Sequence, residues 1–164
     1  MGQRTKPPKA PPDAFQQAMG LLARREHSAR ELKGKLALRG HGGGESVAAI
    51  ERLKDLAYQD DDRFAASLAR RRAAQGYGPR RIQAELRSHG LADAAIRGVL
   101  ADLEVDWTAL AAAQLSRRPG RQPASDRAGR AAQAAFLLRR GFDAATVRAV
   151  TRTDTGDLDD GIDR

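Results

Sequence analysis

The chain has 164 residues and is predicted to be all-α, folded as an elongated stack of three tandem three-helix repeats. Hydrophobic residues make up 41% and aromatic residues 4%, and no stretch shows the alternation of apolar and polar residues that is typical of strands. A helix-like segment ending in arginine or histidine and then glycine occurs three times, at residues 36–40, 86–90 and 137–141. Because such a short unit buries little surface alone, we expect the repeats to stack and share a core.

Residues 14–57 are predicted to form the first repeat. Its second helix begins at Ser28, since Glu31 three residues later completes a capping box, and Gly40 ends it. The apolar faces of its three helices would be Phe15, Met19 and Leu22, then Leu32 and Leu36, then Val47, Ile50, Leu53 and Leu56. The glycine-rich loop at 41–44 lacks the lysine and the serine or threonine of a nucleotide-phosphate loop, so no nucleotide site is expected there.

Residues 58–105 are predicted to form the second repeat. A run of aspartates at residues 60–62 favours the start of its first helix. The chain then breaks at an elbow with the sequence Gly-Tyr-Gly-Pro at residues 76–79, in which Pro79 takes the favoured first position of the next helix. Gly90 ends that helix. The apolar faces would be Phe64 and Leu68, then Ile82 and Leu86, then Ile96, Val99, Leu100 and Leu103.

Residues 106–152 are predicted to form the third repeat, interrupted by a linker from Arg117 to Asp126 that is rich in arginine and proline. Its apolar faces would be Trp107, Leu110 and Leu115, then Leu137, then Val147 and Val150. Gln133 stands at the position that Leu32 and Ile82 hold in the other copies, so the third copy is interpreted as diverged.

The two ends of the chain differ from the repeats. Residues 1–13 are basic and rich in proline and lack the apolar run of a secretion signal, so a disordered N-terminus is expected. Residues 153–164 contain five aspartates and one arginine, and we expect an acidic flexible tail. No stretch approaches the length of a membrane span, which favours a cytoplasmic protein. The oligomeric state is open, and a monomer is favoured.

The titratable residues indicate neither a catalytic nor a metal centre. The chain has no cysteine, which excludes disulfides and thiolate ligands. His27, His41 and His89 lie far apart, and each flanks a predicted helix end, where solvated or capping roles are usual. Carboxylates fall at helix starts, at positions for salt bridges along helices, or in the tail. The sequence therefore predicts a protein that is not an enzyme and needs neither cofactor nor metal.

The charge of the chain favours a polyanionic partner. Net charge is +8, and residues 1–152 carry +12 once the acidic tail is set apart. Nucleic acid and acidic protein surfaces both attract such an excess. Five arginines bracket the tyrosine of the elbow, Tyr77, and they are Arg70, Arg71, Arg72, Arg80 and Arg81. Because this set suits phosphate contact, carboxylate pairing or stacking, we expect it to bind the partner.

These segments together resemble the RecX family of bacterial recombination regulators over residues 15–150. The central likeness is YQDDDRFAASLARRRAAQGYGPRRIQAELRSHG, with LLARREHSARELKGKLALRG before it and AAFLLRRGF after it. The resemblance implies three tandem three-helix repeats and binding to the RecA recombinase. It also implies that the protein inhibits the RecA filament on single-stranded DNA and lowers the ATPase, strand-exchange and co-protease activities of RecA. Through this inhibition it would influence recombination and the SOS response to DNA damage.

The same resemblance suggests roles for individual residues. The five arginines and Tyr77 would contact the partner, and Asp61 and Asp62 would pair with basic groups of RecA. The residues that would shape the turns are Gly40, Gly76, Gly78, Pro79, Gly90 and Gly141. No catalytic residue is implied, because the family acts by binding.

Two other classes of function are alternatives for this sequence. A helix-turn-helix-like protein that binds DNA largely without sequence preference, and competes for it, fits the net charge. The third helix of the first repeat mixes charges and lacks asparagine or glutamine to read base edges, so specific recognition is not expected, while weak non-specific DNA binding stays open. An enzyme is the least supported class, since no nucleophile, base and orienting group can be assembled.

Overall fold

The computed structural model describes residues 12–117 and 126–151, and these ranges form nine α-helices and no strand. The helices are α1 (Ala14–Leu22), α2 (Ala29–Ala37), α3 (Gly43–Asp55), α4 (Asp61–Ala74), α5 (Pro79–Ser88), α6 (Asp93–Asp102), α7 (Trp107–Ser116), α8 (Arg127–Arg139) and α9 (Ala144–Thr151). They follow one another in threes, so the prediction of an all-α chain of three-helix repeats is confirmed. The acidic tail, the N-terminus up to residue 11 and the linker at 118–125 lie outside the described residues.

The chain divides into two compact units between Phe64 and Ala65, a point inside α4. The first unit holds α1, α2, α3 and the first turn of α4, and the second unit holds the helices that follow. None of the described helices is long and apolar enough to cross a membrane.

The three helices of the first repeat pack around a core of leucine, isoleucine and alanine. Leu32 and Leu36 of α2 are fully buried, because a spacing of four residues places both side chains on one helical face. They belong to the same cluster as Ile50 and Leu53 of α3 and Ala18 of α1. The Ser28 hydroxyl accepts the backbone N–H of Glu31 at 3.0 Å, so the predicted cap of α2 is confirmed.

Two residues of the apolar series predicted for α3 are exposed, Val47 by 45% and Leu56 by 49%. Leu56 is the C-cap of α3, where the buried stripe of the helix has ended. Val47 follows the buried Ser46, and one residue along a helix turns about 100° around its axis, which takes Val47 out of the core. Placing these two residues on the buried face was therefore wrong.

His27 is only 3% exposed, so the expectation of solvated or capping histidines is wrong for this one. Its Nδ1 lies 2.9 Å from the carbonyl oxygen of Arg25, and Gln59 Nε2 donates to the His27 carbonyl at 3.2 Å. Burial lowers the pKa of the imidazole, which favours the neutral ring.

Across residues 12–117 and 126–151, no three histidine or acidic side chains are grouped to hold a metal ion.

The second repeat buries Leu68 of α4, Ile82 and Leu86 of α5, and Ile96 of α6, all from the predicted apolar faces. Ile82 and Leu86 repeat the spacing of four residues seen in α2. The prediction for these positions is confirmed.

The third repeat has a small core, in which Leu137, Phe142 and Val147 are the large buried side chains and Trp107 packs against them. The alignment of the copies placed Gln133 at the core position of α8, but the buried residue is Ala134. Ala134 lies three residues before Leu137 instead of four, and either spacing is about one helical turn. The third copy therefore keeps its buried face in a shifted register.

Four helices end at a glycine in the left-handed conformation. The φ angles are +88° at Gly40, Gly90 and Gly141 and +79° at Gly76. The residue after each glycine donates its backbone N–H to the carbonyl five residues before it, as Phe142 does to Leu137 at 3.2 Å. Glycine is favoured in this motif because it has no Cβ. After Gly40, the predicted glycine-rich loop is shorter than expected, since α3 already begins at Gly43.

Candidate partner-binding surface

The elbow of the second repeat lies directly against the glycine turn of the third repeat. The backbone N–H of Gly78 donates to the Arg140 carbonyl at 2.8 Å, and that of Arg80 donates to the Gly141 carbonyl at 2.9 Å. A Cβ atom at Gly78 would lie 2.4 Å from the carbonyl carbon of Gly141, and one at Gly141 would lie 2.4 Å from Arg81 Cβ. Only glycine permits this approach. We call this contact the seam, defined as residues 76–81 with residues 140–142.

Gly76 is constrained by a third element, α7. Its φ is +79°, and a Cβ there would lie 2.2 Å from the side-chain amide carbon of Gln114, which is itself buried. Pro79 occupies the first position of α5. The elbow is thus held by its own proline, by α7 and by the turn that follows α8.

The arginines around the seam are largely without intramolecular ion pairs. Arg70, Arg71, Arg80 and Arg81 are exposed, and within the described ranges none of them pairs with a carboxylate. The guanidinium carbon of Arg81 lies 4.6 Å from the centroid of the Tyr77 ring, and that of Arg140 lies 5.2 Å from it. Arg140 also donates to the carbonyls of Gln75 and Gly76 at 3.3 and 3.4 Å. Two guanidinium groups from separate repeats therefore meet at one aromatic ring.

Arg72 differs from its neighbours because it is engaged within the protein. Its Nε and Nη2 donate to the two carboxylate oxygens of Glu85 at 2.7 and 2.6 Å, and its Nη1 donates to the side chain of Gln75 at 2.8 Å. The hydrogen bond from Arg72 holds the pKa of Glu85 below its ordinary value. This two-pronged pair joins α4 to α5, so Arg72 has a structural contact that Arg70 and Arg71 lack.

The two aspartates named with the arginines belong to the first unit, whereas the elbow belongs to the second. Asp61 Oδ1 accepts the backbone N–H of Ala29, the first residue of α2, at 2.9 Å, and it also accepts Gln59 Nε2 at 2.9 Å. The carboxylate of Asp61 therefore caps α2 from the start of α4. Asp62 is exposed, and none of the described residues donates to its side chain.

This difference predicts distinct effects of two neighbouring substitutions. Asp61→Ala should lower the free energy of unfolding of the first unit by about 1 to 2 kcal/mol, because the N–H of Ala29 loses its acceptor. Asp62→Ala, the matched control, should change it by less than about 0.5 kcal/mol. Urea unfolding followed by circular dichroism measures both. Equal losses in the two variants would show that Asp61 has no special role as a cap.

The two units differ modestly in net charge. Residues 1–64 contain twelve lysines and arginines and nine acidic residues, an excess of three positive charges. Residues 65–164 contain seventeen arginines and twelve acidic residues, an excess of five. Both units are therefore basic, the second slightly more than the first.

Arg140 is the residue at the seam that sequence reasoning did not select. It contacts Tyr77, carries the carbonyl that accepts from Gly78, and donates to the elbow. The repeat pattern held a signal for it, because a basic residue precedes the glycine in every copy, as Arg39, His89 and Arg140. The sequence did not indicate that Arg140 lies against an aromatic ring of the preceding repeat.

Comparison with known sequences gives two family matches. Residues 14–53 match a model described as RecX, first three-helix domain, and residues 60–100 match RecX, second three-helix domain. A protein named Regulatory protein RecX from Xanthomonas axonopodis pv. citri is 49% identical over 142 residues, which cover 87% of this chain and 88% of the relative. Another of that name from Stenotrophomonas maltophilia is 42% identical over 156 residues, covering 95% and 94%.

Solved structures share the fold. A crystal structure of a regulatory protein RecX matches with a TM-score of 0.71 at 21% identity, covering 85% of this chain and 70% of that one. The crystal structure of RecX from Lactobacillus salivarius matches with a TM-score of 0.67 at 21% identity, covering 89% and 94%. At this identity the likeness is one of architecture.

Proposed function

The chain belongs to the RecX family, and from this premise we propose that it regulates the RecA recombinase. It binds RecA and its filament on single-stranded DNA and inhibits filament extension, ATPase, strand exchange and co-protease activity. In this way it modulates homologous recombination and the response to DNA damage. It acts by binding, without catalysing a reaction, and in the cytoplasm where RecA and its DNA are found.

The observation that supports this proposal most directly is the group of unpaired arginines at the elbow. Arg70, Arg71, Arg80 and Arg81 are exposed, and none of them forms an ion pair with a carboxylate of the described residues. A nucleoprotein filament offers both phosphates and carboxylates, and guanidinium groups bind either with paired hydrogen bonds. The rigid elbow holds these groups in place before binding, which limits the entropy lost on association.

A second candidate is a DNA-binding protein that competes with RecA for the strand. The excess of five positive charges in the second unit favours it, because a basic surface attracts the phosphate backbone without reading sequence. The two candidates differ in what is bound, the filament or the free strand. They can therefore be separated by the amount of protein required and by the effect of free DNA.

The deciding experiment measures the single-stranded-DNA-dependent ATPase of RecA, with this protein added well below one molecule per RecA and with free DNA in large excess. Inhibition under these conditions supports action on the filament. Inhibition that requires near-stoichiometric protein and disappears when more DNA is added would favour the competitor and reject the proposed regulator.

The same assay tests the elbow arginines. Arg70→Ala with Arg71→Ala should weaken inhibition about tenfold or more, since two charge-assisted contacts are removed, while the melting temperature stays unchanged. The matched control is Arg30→Ala with Arg39→Ala, which removes the same charge from two exposed arginines of the first unit. Equal weakening in both double variants would assign the effect to net charge and remove these elbow residues from the interface.

A further inference from the structure

We propose that the seam binds the phosphodiester backbone of single-stranded nucleic acid through Arg81 and Arg140, which are held on the ring of Tyr77. The second and third repeats form this site together. The inference rests on the proposed function only in identifying the strand as that of the filament. Binding to DNA is tested without RecA, so the site and the proposed function can fail separately.

The geometry at Tyr77 leaves donors free for an anion. Arg81 and Arg140 contact the ring at 4.6 and 5.2 Å, and Arg140 also lies 5.4 Å from the ring of Phe136. An aromatic face orients a guanidinium through its charge, while the N–H groups at the edge stay available. Arg81 is exposed and has no acceptor among the described residues, and the two bonds from Arg140 to the elbow are long.

No described carboxylate forms an ion pair with either guanidinium. Glu85, on the same helix as Arg81, directs both of its oxygens to Arg72. An external anion therefore does not have to displace an internal one. Phosphate groups of a strand suit these guanidinium groups because each guanidinium can donate two hydrogen bonds to a phosphate.

Two observations favour a nucleic acid strand over an acidic peptide. The positive excess extends over the described part of the second unit, and a regular polyanion gains from such a surface through release of its counterions. The site also contains flat guanidinium groups held on aromatic rings, and unpaired bases stack on guanidinium planes. An acidic peptide has no bases to use these faces, and in a duplex the bases are stacked on one another.

The site depends on contact between the two repeats. Tyr77 and Arg81 come from the second repeat and Arg140 from the third, and backbone hydrogen bonds at Gly78 and Arg80 fix their separation. The close approach of Gly78 and Gly141 leaves no room for a side chain that would push the guanidinium groups apart. Arg140 is therefore both a ligand of the anion and a positioning residue for the elbow.

The test is fluorescence anisotropy of a labelled oligothymidylate with the full chain, repeated at several salt concentrations. Arg81→Gln with Arg140→Gln should weaken binding about tenfold or more and reduce the slope of log affinity against log salt by about 1.4, which corresponds to two lost phosphate contacts on a single strand. The matched control is Arg39→Gln with Arg97→Gln. It removes the same charge from two exposed arginines outside the seam, one of them also followed by a left-handed glycine.

A single arginine variant, two variants of Tyr77 and an acidic peptide probe complete the binding test. Arg81→Gln alone leaves the bonds of Arg140 to the elbow intact and should still weaken binding, so a folding defect in the double variant cannot hide the answer. Tyr77→Phe should bind as the natural chain does, whereas Tyr77→Ala should lose affinity. Labelled polyglutamate serves as the acidic peptide probe.

The outcomes are distinct. Unchanged oligothymidylate binding by the seam variants, or equal loss in the control, would overturn the site. If the seam variants lose polyglutamate binding while their oligothymidylate binding is unchanged, the seam binds an acidic protein surface. That outcome would also overturn the proposed nucleic-acid site. Loss of oligothymidylate binding with full inhibition of the RecA ATPase would support the site, while showing that the regulatory function does not depend on it.

Discussion

Replacing Gly141 by alanine is expected to destabilise the second unit by about 3 kcal/mol or more, whereas the same change at Gly40 should cost about 1 kcal/mol. Both glycines have φ of +88° and both end a helix before the third helix of a repeat. An added Cβ at Gly40 has no atom within 4 Å, but at Gly141 it would lie 2.4 Å from Arg81 Cβ and 2.5 Å from the Arg81 backbone nitrogen. The two variants therefore share backbone strain and differ in steric overlap.

Hydrogen exchange can locate these effects as well as measure them. In the Gly141→Ala variant, protection should fall in α8 and α9 and at the amides of Gly78 and Arg80, which donate across the seam. In the Gly40→Ala variant, any loss should be confined to the end of α2 and the start of α3. Similar losses of stability in both variants would mean that the seam relaxes to accept a methyl group, and that its close packing contributes little.

Replacing Phe142 by alanine should lower the free energy of unfolding of the second unit by about 3 to 5 kcal/mol. Phe142 is fully buried in a small cluster with Leu137, Val147 and two alanines, and Trp107 is among the partly buried side chains that pack against it. Removing the ring takes the largest side chain out of this buried set and leaves a cavity in it. The loss should therefore fall within the usual range for a truncated core phenylalanine.

Trp107 provides the measurement, because it is the only tryptophan of the chain and packs against this cluster. In the Phe142→Ala variant, the tryptophan emission should shift to longer wavelength. The unfolding transition that this emission reports should occur at a lower urea concentration. Leu138→Ala is the control, since Leu138 lies on the same helix and is 39% exposed. A change of less than about 1 kcal/mol for Phe142→Ala would contradict the assignment of the ring to an essential core position.

Most of the helical architecture could be predicted from the sequence because its signals are local. The spacing of four residues between Leu32 and Leu36, which recurs between Ile82 and Leu86, indicates which face of each helix is buried. A glycine after a basic residue marks where a helix stops, and Pro79 marks where the next one starts. Each of these signals depends on neighbours within one or two helical turns.

Most of what could not be predicted depends on residues far apart in the chain. Val47 and Leu56 are spaced by threes with Ile50 and Leu53, but the face of α3 that packs into the core runs through Ser46, Ala49, Ile50 and Leu53, and the small residues in it gave no apolar signal. Arg72 and Arg71 are adjacent and chemically identical, yet one pairs with Glu85 and the other is exposed. Asp61 looks like part of an acidic surface until its contact with Ala29, 32 residues earlier, is known.

The positive charge of the two units has a kinetic consequence. Over the full sequence, the first unit carries an excess of three positive charges and the second an excess of five. The field of a polyanion therefore attracts both units, the second somewhat more strongly, and this long-range attraction raises the rate at which the protein meets such a target. Because the attraction is screened by salt, the rate of encounter should fall as ionic strength rises.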